Sequence, residues 1–102
     1  MTSQIVTKLA KNKKLFEQNG VSYVGLFGSR ARGEETKSSD IDLMVDFDAP
    51  KSLFDLARLN LELEEKLGGN VDLVQRGAVK PSLKRIIDRD LVTVYAKKWF
   101  AL

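Results

Sequence analysis

The chain contains no cysteine and no histidine among its 102 residues. Without thiols there is no disulfide framework, no thiolate nucleophile and no sulfur-ligated metal. Without imidazole there is no histidine base and no zinc site of the histidine-rich kinds. Any metal must therefore be a hard cation held by oxygen. No apolar run approaches the roughly 20 residues of a membrane-spanning helix, and the opening "MTSQIVTKLAKNKK" has no signal-peptide core. The expected location is the cytoplasm, with no membrane contact. An excess of one charge is also missing. Seventeen basic residues against 14 acidic ones leave +3, which suits a mixed, soluble surface better than a nucleic-acid platform.

What is present is an ordinary globular composition, 43% hydrophobic and 30% charged with no low-complexity tract, and this argues against disorder. The length predicts a single domain over residues 1–102. Ile5, Val6, Leu9 and Phe16 recur at helical spacing, so residues 3–19 read as one amphipathic helix stopped by Asn19-Gly20. "VSYVGLF" (21–27) is β-rich and apolar on both faces, as in a strand covered on both sides. "RARGEETKSS" reads as a helical turn and a polar loop. A second strand, 39–47, alternates cleanly: Ile41, Leu43, Val45 and Phe47 on one face, Asp40, Asp42, Met44 and Asp46 on the other.

Pro50 opens a helix over 51–67 that ends at Gly68-Gly69. Its "LNLELE" alternates with period two, but Leu and Glu are helix formers and the segment is too long for one strand. The leucines at 59, 61 and 63 spread around the helix, which implies burial on more than one side or contact with a partner. Residues 70–75 form a third strand with Val71 and Leu73 on the core face and Asp72 and Val74 opposite. Pro81 starts a helix to about Asp88, and "LVTVYA" returns as an edge strand. The fold class is α/β (α+β), a small mixed sheet of about four strands with helices packed on one face.

The chemistry concentrates in "GSRARGEETKSSDIDLMV" (28–45). Carboxylates at i and i+2 of a strand project from one face with Cβ atoms about 6 to 7 Å apart. Groups so close repel unless protonated or bridged by a cation. Magnesium is the natural bridge, since it takes one or two carboxylates together with water and phosphate oxygens. Asp72, on the polar face of the third strand, is the candidate for a third ligand. Gly28 at a strand end lets the backbone approach a ligand, and Ser29 offers a hydroxyl and backbone N–H groups to an anion. Arg30 and Arg32 stand near enough in sequence to meet phosphate or simply to be solvated. Each feature alone has a plainer explanation: Asp40 as a turn cap, Asp72 as an exposed strand residue. Asp46 and Asp48 read as solvated or as supporting charge, and Glu34 and Glu35 as loop surface.

Taken in order, Gly-Ser, a polar loop and Asp-Ile-Asp resemble the G-S-x(9–13)-D-x-D signature of the DNA polymerase β-like nucleotidyltransferase superfamily. Within it, Gly-Ser-Arg-Ala-Arg-Gly and Ser-Asp-Ile-Asp-Leu are similar to the minimal nucleotidyltransferase (MNT) domain, as are "NVDLV" and "LKRIIDRDLVTVYA". The resemblance implies the nucleotidyltransferase fold and an Mg2+-dependent enzyme using ATP. It implies that Gly28 and Ser29 bind the phosphates, with Arg30 or Arg32 offsetting their charge. Asp40, Asp42 and Asp72 would hold magnesium, two ions in all, and carry the catalysis. An acceptor hydroxyl would attack the α-phosphorus and pyrophosphate would leave.

The same resemblance implies an antitoxin of a HEPN/MNT toxin–antitoxin pair. It would transfer AMP to a tyrosine of a HEPN ribonuclease toxin within a hetero-oligomer, without binding nucleic acid directly. The alternative is a non-catalytic antitoxin that neutralises by binding and occlusion. Retention of three mutually repelling aspartates favours catalysis. Trp99, Phe100 and Leu102 at the C-terminus suit either docking on such a partner or packing on the domain's own core.

Overall fold

The computed structural model describes residues 3–34 and 40–97. The expectations for Trp99, Phe100 and Leu102, and for Glu35 and Ser38-Ser39, lie outside these residues. In chain order the elements are α1 (Ser3–Lys11), α2 (Lys13–Gln18), β1 (Val21–Phe27), α3 (Ser29–Arg32) and β2 (Ile41–Phe47). Then come α4 (Leu53–Leu67), β3 (Val71–Gln75), a 3-10 turn at Arg76–Ala78, α5 (Pro81–Asp90) and β4 (Val92–Ala96). The strands lie in the order β3-β2-β1-β4, which makes β4 an edge strand. β1 runs antiparallel to β2 and β4, while β2 and β3 are parallel and joined through α4.

The first helix divides where one helix over 3–19 is expected. Asn12 Nδ2 donates to the Lys8 carbonyl at 2.7 Å, so the side chain takes an acceptor of the preceding turn. The break turns the second half, and Leu15 and Phe16 are then both buried. The long middle helix follows its expected course. Ser52 and Asp55 close a capping box at its start, and Gly68 ends it in the left-handed conformation. Leu59, Leu63 and Leu67 at i, i+4 and i+8 form its buried stripe. Leu61 does not share that burial, because two residues from Leu59 and Leu63 it lies on the opposite side of the helix. It is 66% exposed, and Leu53 and Phe54 are exposed as well.

Both faces of the sheet are covered, though unequally. Leu9, Phe16, Leu59 and Leu63 pack on Val24, Leu26, Leu43 and Val45, forming the main core under α1, α2 and α4. On the opposite face Ile87 of α5 closes over Tyr23 and Met44, with Phe27 and Leu91 beside them. Helices on one face therefore describes α1, α2 and α4, and α5 crosses the other. The reason lies in β1, whose apolar residues alternate onto both sides and require a second cover. Gly25 permits that cover: a Cβ there would lie 2.5 Å from Leu91 Cδ1 and 2.6 Å from Tyr23 Oη. A side chain at this position would push the ends of Leu91 and Tyr23 aside, so glycine lets the end of α5 come down on β1 as it stands.

Leu63 is fully buried in the main core. Leu63→Ala should destabilise the fold by about 2–5 kcal/mol through lost transfer energy and a residual cavity. Leu61→Ala, on the exposed side of the same helix, should stay within about 0.5 kcal/mol. Urea titration of the two variants measures both values.

Candidate active site

The site is built where β1 ends and β2 and β3 begin. β1 stops at Phe27, and Gly28 turns the chain with φ 78° and ψ −158° to start the single turn of α3. Its carbonyl accepts from the N–H groups of Ala31 and Arg32 at 3.1 and 3.2 Å. This positive φ is one that side-chain-bearing residues rarely adopt. There is also no room for a side chain, because a Cβ on Gly28 would overlap Asp42 Oδ2. The glycine and the aspartate are in effect one feature: bare backbone against a carboxylate.

Asp42 sits between two neighbours of known register. Across the antiparallel pair it faces Phe27, and across the parallel pair it faces Asp72. Asp40 lies one residue before β2, where the Ile41 N–H donates to the Asn70 carbonyl at 2.8 Å. That bond ties the entry of β2 to the entry of β3. A second tie comes from α4, whose Glu64 Oε2 accepts from the Val71 N–H at 3.0 Å. Both bonds set the start of β3, and with it Asp72. The three aspartates expected from the sequence are thus brought to one end of the sheet, on the face opposite the main core.

Asp42 is half-buried, while Asp40 and Asp72 are exposed. Burial pushes the Asp42 carboxyl above the usual carboxylate range, and the charges of Asp72 and then Asp40 push it further. Arg32 partly offsets this. The neighbouring negative charge that favours a proton on Asp42 favours a cation there as well.

The donor set fits magnesium. All three groups are carboxylates, the hard oxygen donors that magnesium prefers. Among the described residues, no three acidic groups already gather into a shell that holds an ion by themselves. Magnesium does not require one, since it keeps several waters and binds through one or two carboxylates plus substrate phosphate.

The remaining candidates divide. Ser29 and Arg30 are half-buried in the α3 turn. Arg32 is held by two carboxylates: Nε donates to Glu34 Oε1 and Nη1 to Asp90 Oδ2, both at 2.7 Å. Glu34 is therefore engaged with Arg32, beyond the plain surface role read from the sequence. Asp90 is absent from that reading, which ends the helix near Asp88. A carboxylate in the last turn of a helix, where the dipole disfavours it, was the available signal. Of the two readings of these aspartates, Asp48 pairs with Lys97 as a supporting charge, and Asp46 accepts from the Phe47 N–H at 3.0 Å.

Comparison with known proteins identifies the family and the fold. The family described as "Polymerase beta, Nucleotidyltransferase" matches residues 10–98. The protein adenylyltransferase MntA of Thermococcus cleftensis is 40% identical over 85 residues, spanning 83% of this chain and 86% of its own length. A crystal structure of a substituted MntA–HpeT toxin–antitoxin pair superposes with a TM-score of 0.71 at 25% identity, over 87% of this chain and 72% of that one. A tri-AMPylated Shewanella oneidensis HEPN toxin in complex with MNT antitoxin shows the same fold at 21% identity, with a TM-score of 0.70 over 97% of this chain and 76% of that one.

Because the folded protein raises the proton affinity of Asp42, ionising that group costs stability as pH rises through its folded pKa. Below the unfolded pKa both states are protonated and the cost is gone. Asp42→Asn should therefore melt at a higher temperature than wild type at pH 7 in the presence of a chelator, and the gap should close as the pH falls to acid values. Gly28→Ala should act oppositely at every pH, losing about 1–3 kcal/mol to backbone strain in urea titration.

Proposed function

Since the chain belongs to the polymerase beta nucleotidyltransferase family, we propose that it transfers AMP from ATP to a tyrosine hydroxyl of a HEPN-type toxin and thereby acts as that toxin's antitoxin. The observation that carries the reading is the register of Asp42 against Asp72, with Asp40 at the strand entry and Gly28 pressed on Asp42. The choice of a protein acceptor is supported by the Thermococcus relative, a protein adenylyltransferase. The toxin partner is supported by the MntA–HpeT pair. Tyrosine follows from the resemblance of the motif to MNT antitoxins.

In this reading Gly28 and Ser29 receive the triphosphate through backbone N–H groups and the serine hydroxyl. Arg30 and Arg32 offset phosphate charge. Asp40, Asp42 and Asp72 are the residues that would hold magnesium, which when bound stabilises charge on the attacking and leaving oxygens. The tyrosine oxygen forms its bond to the α-phosphorus as the bond to the pyrophosphate oxygen breaks. Asp72 accepts the tyrosine proton, directly or through water. It is the exposed member of the facing pair, so it is open to an acceptor arriving from solvent. Holding the hydroxyl in line falls to the macromolecular contact.

The direct test is to incubate the toxin with this protein, ATP and Mg2+ and to weigh the toxin. The expected result is an added AMP mass that disappears with Asp42→Ala. Inhibition of the toxin with no added mass would replace transfer with occlusion. Asp72→Asn should slow the chemical step about a hundredfold or more while changing ATP affinity only a few fold, as single-turnover kinetics would show. Equal losses in both would remove Asp72 from proton transfer.

A further inference from the structure

Arg32 closes the α3 turn that follows the Gly28–Ser29 corner, and its two ion pairs are unequal. Glu34 is two residues away in the chain and its side chain is 65% exposed, whereas Asp90 is 58 residues away with a side chain only 22% exposed. Exposed pairs are screened and cost side-chain entropy to hold, so the less exposed one is the firmer anchor. Asp90 contributes little as a helix residue, since it ends α5 where the dipole is negative. Its location is nevertheless tightly determined. The next residue, Leu91, fills the space over Gly25, and Val92 pairs with Leu26 of β1. The Asp90 carboxylate is therefore carried on the same strand pair that ends at Gly28.

A guanidinium has five N–H donors in a rigid fork. The bonds to Glu34 and Asp90 use one on Nε and one on Nη1. Arg32 can hold both carboxylates and still donate to a phosphate. From this we infer that Asp90 is a positioning residue: by clamping Nη1 of Arg32 it presets the guanidinium at the Gly28–Ser29 corner, so that nucleotide phosphates meet a cation already in place. The inference rests on the nucleotidyl-transfer reading and deepens it, because it makes the end of α5 a determinant of nucleotide affinity. Immobilising a long, rotamer-rich side chain in advance removes a cost that binding would otherwise carry.

The test uses the full chain, with Mg·ATP binding measured by calorimetry and AMP transfer measured as above. Asp90→Asn should weaken Mg·ATP binding and raise the ATP KM about three- to tenfold, with kcat within about twofold of wild type. Asp90→Glu, which keeps the charge, should recover part of the affinity. In an Arg32→Ala background, Asp90→Asn should have no further effect on binding, because the group it positions is gone. Unchanged affinity in Asp90→Asn would overturn the inference, as would the same additional loss without Arg32, since that loss would mark a general structural role. If the wild-type chain binds no Mg·ATP, the transfer reading itself falls and takes this inference with it. Normal wild-type binding that ignores Asp90 overturns the inference alone.

Discussion

The repulsion between Asp42 and Asp72 is the constraint around which this end of the molecule is arranged. Two carboxylates face each other across a parallel strand pair, where strand spacing leaves them about 5 Å apart at the backbone. Nothing in the hydrophobic core gains from this. The arrangement persists because the surrounding bonds over-determine it: β1 fixes β2 by antiparallel pairing, Asn70 and Glu64 fix the entry of β3, and Gly28 presses on Asp42 from the adjoining strand end. A small fold holds an unfavourable pair by making every neighbouring contact favourable.

The two faces of the sheet divide the labour accordingly. The main core lies under α1, α2 and α4, where Phe16, Leu59 and Leu63 close on the central strands. The opposite face is only partly covered by α5, through Ile87 and Leu91, and carries the aspartates beside the C-terminal end of that helix. The core and the candidate site thus share strands but not side chains. On β2 they alternate residue by residue, Leu43 and Val45 serving the core while Asp42 serves the site. α5 belongs to both, since its apolar stripe covers β1 while its last residue holds Arg32.

Much of this was legible in the sequence. The alternation of 41–47 separates the carboxylates from the core residues, and β1, apolar on both faces, foretells cover on both sides. The strand at 21–27 lies where it is expected, and the helix at 51–67 differs only at its first turn. What was less legible depended on single side chains acting on backbone or across the fold. Asn12 breaks the first helix by taking the Lys8 carbonyl, although the apolar spacing on either side is continuous. Asp90 reaches Arg32 through a pairing that no local pattern encodes.

By itself the sequence determined the repertoire: no imidazole or thiol chemistry, aspartates on the polar faces of two strands with a third just ahead of one, and a Gly-Ser turn before them. Those are properties of composition and of period, and period is local. The tertiary structure alone decided that β3 lies beside β2 rather than β1, that Asp72 falls opposite Asp42 rather than a residue away, and that α5 ends against Arg32. Register and neighbourhood are set by contacts between distant segments, and a shift of one residue in β3 would turn its aspartate into the core.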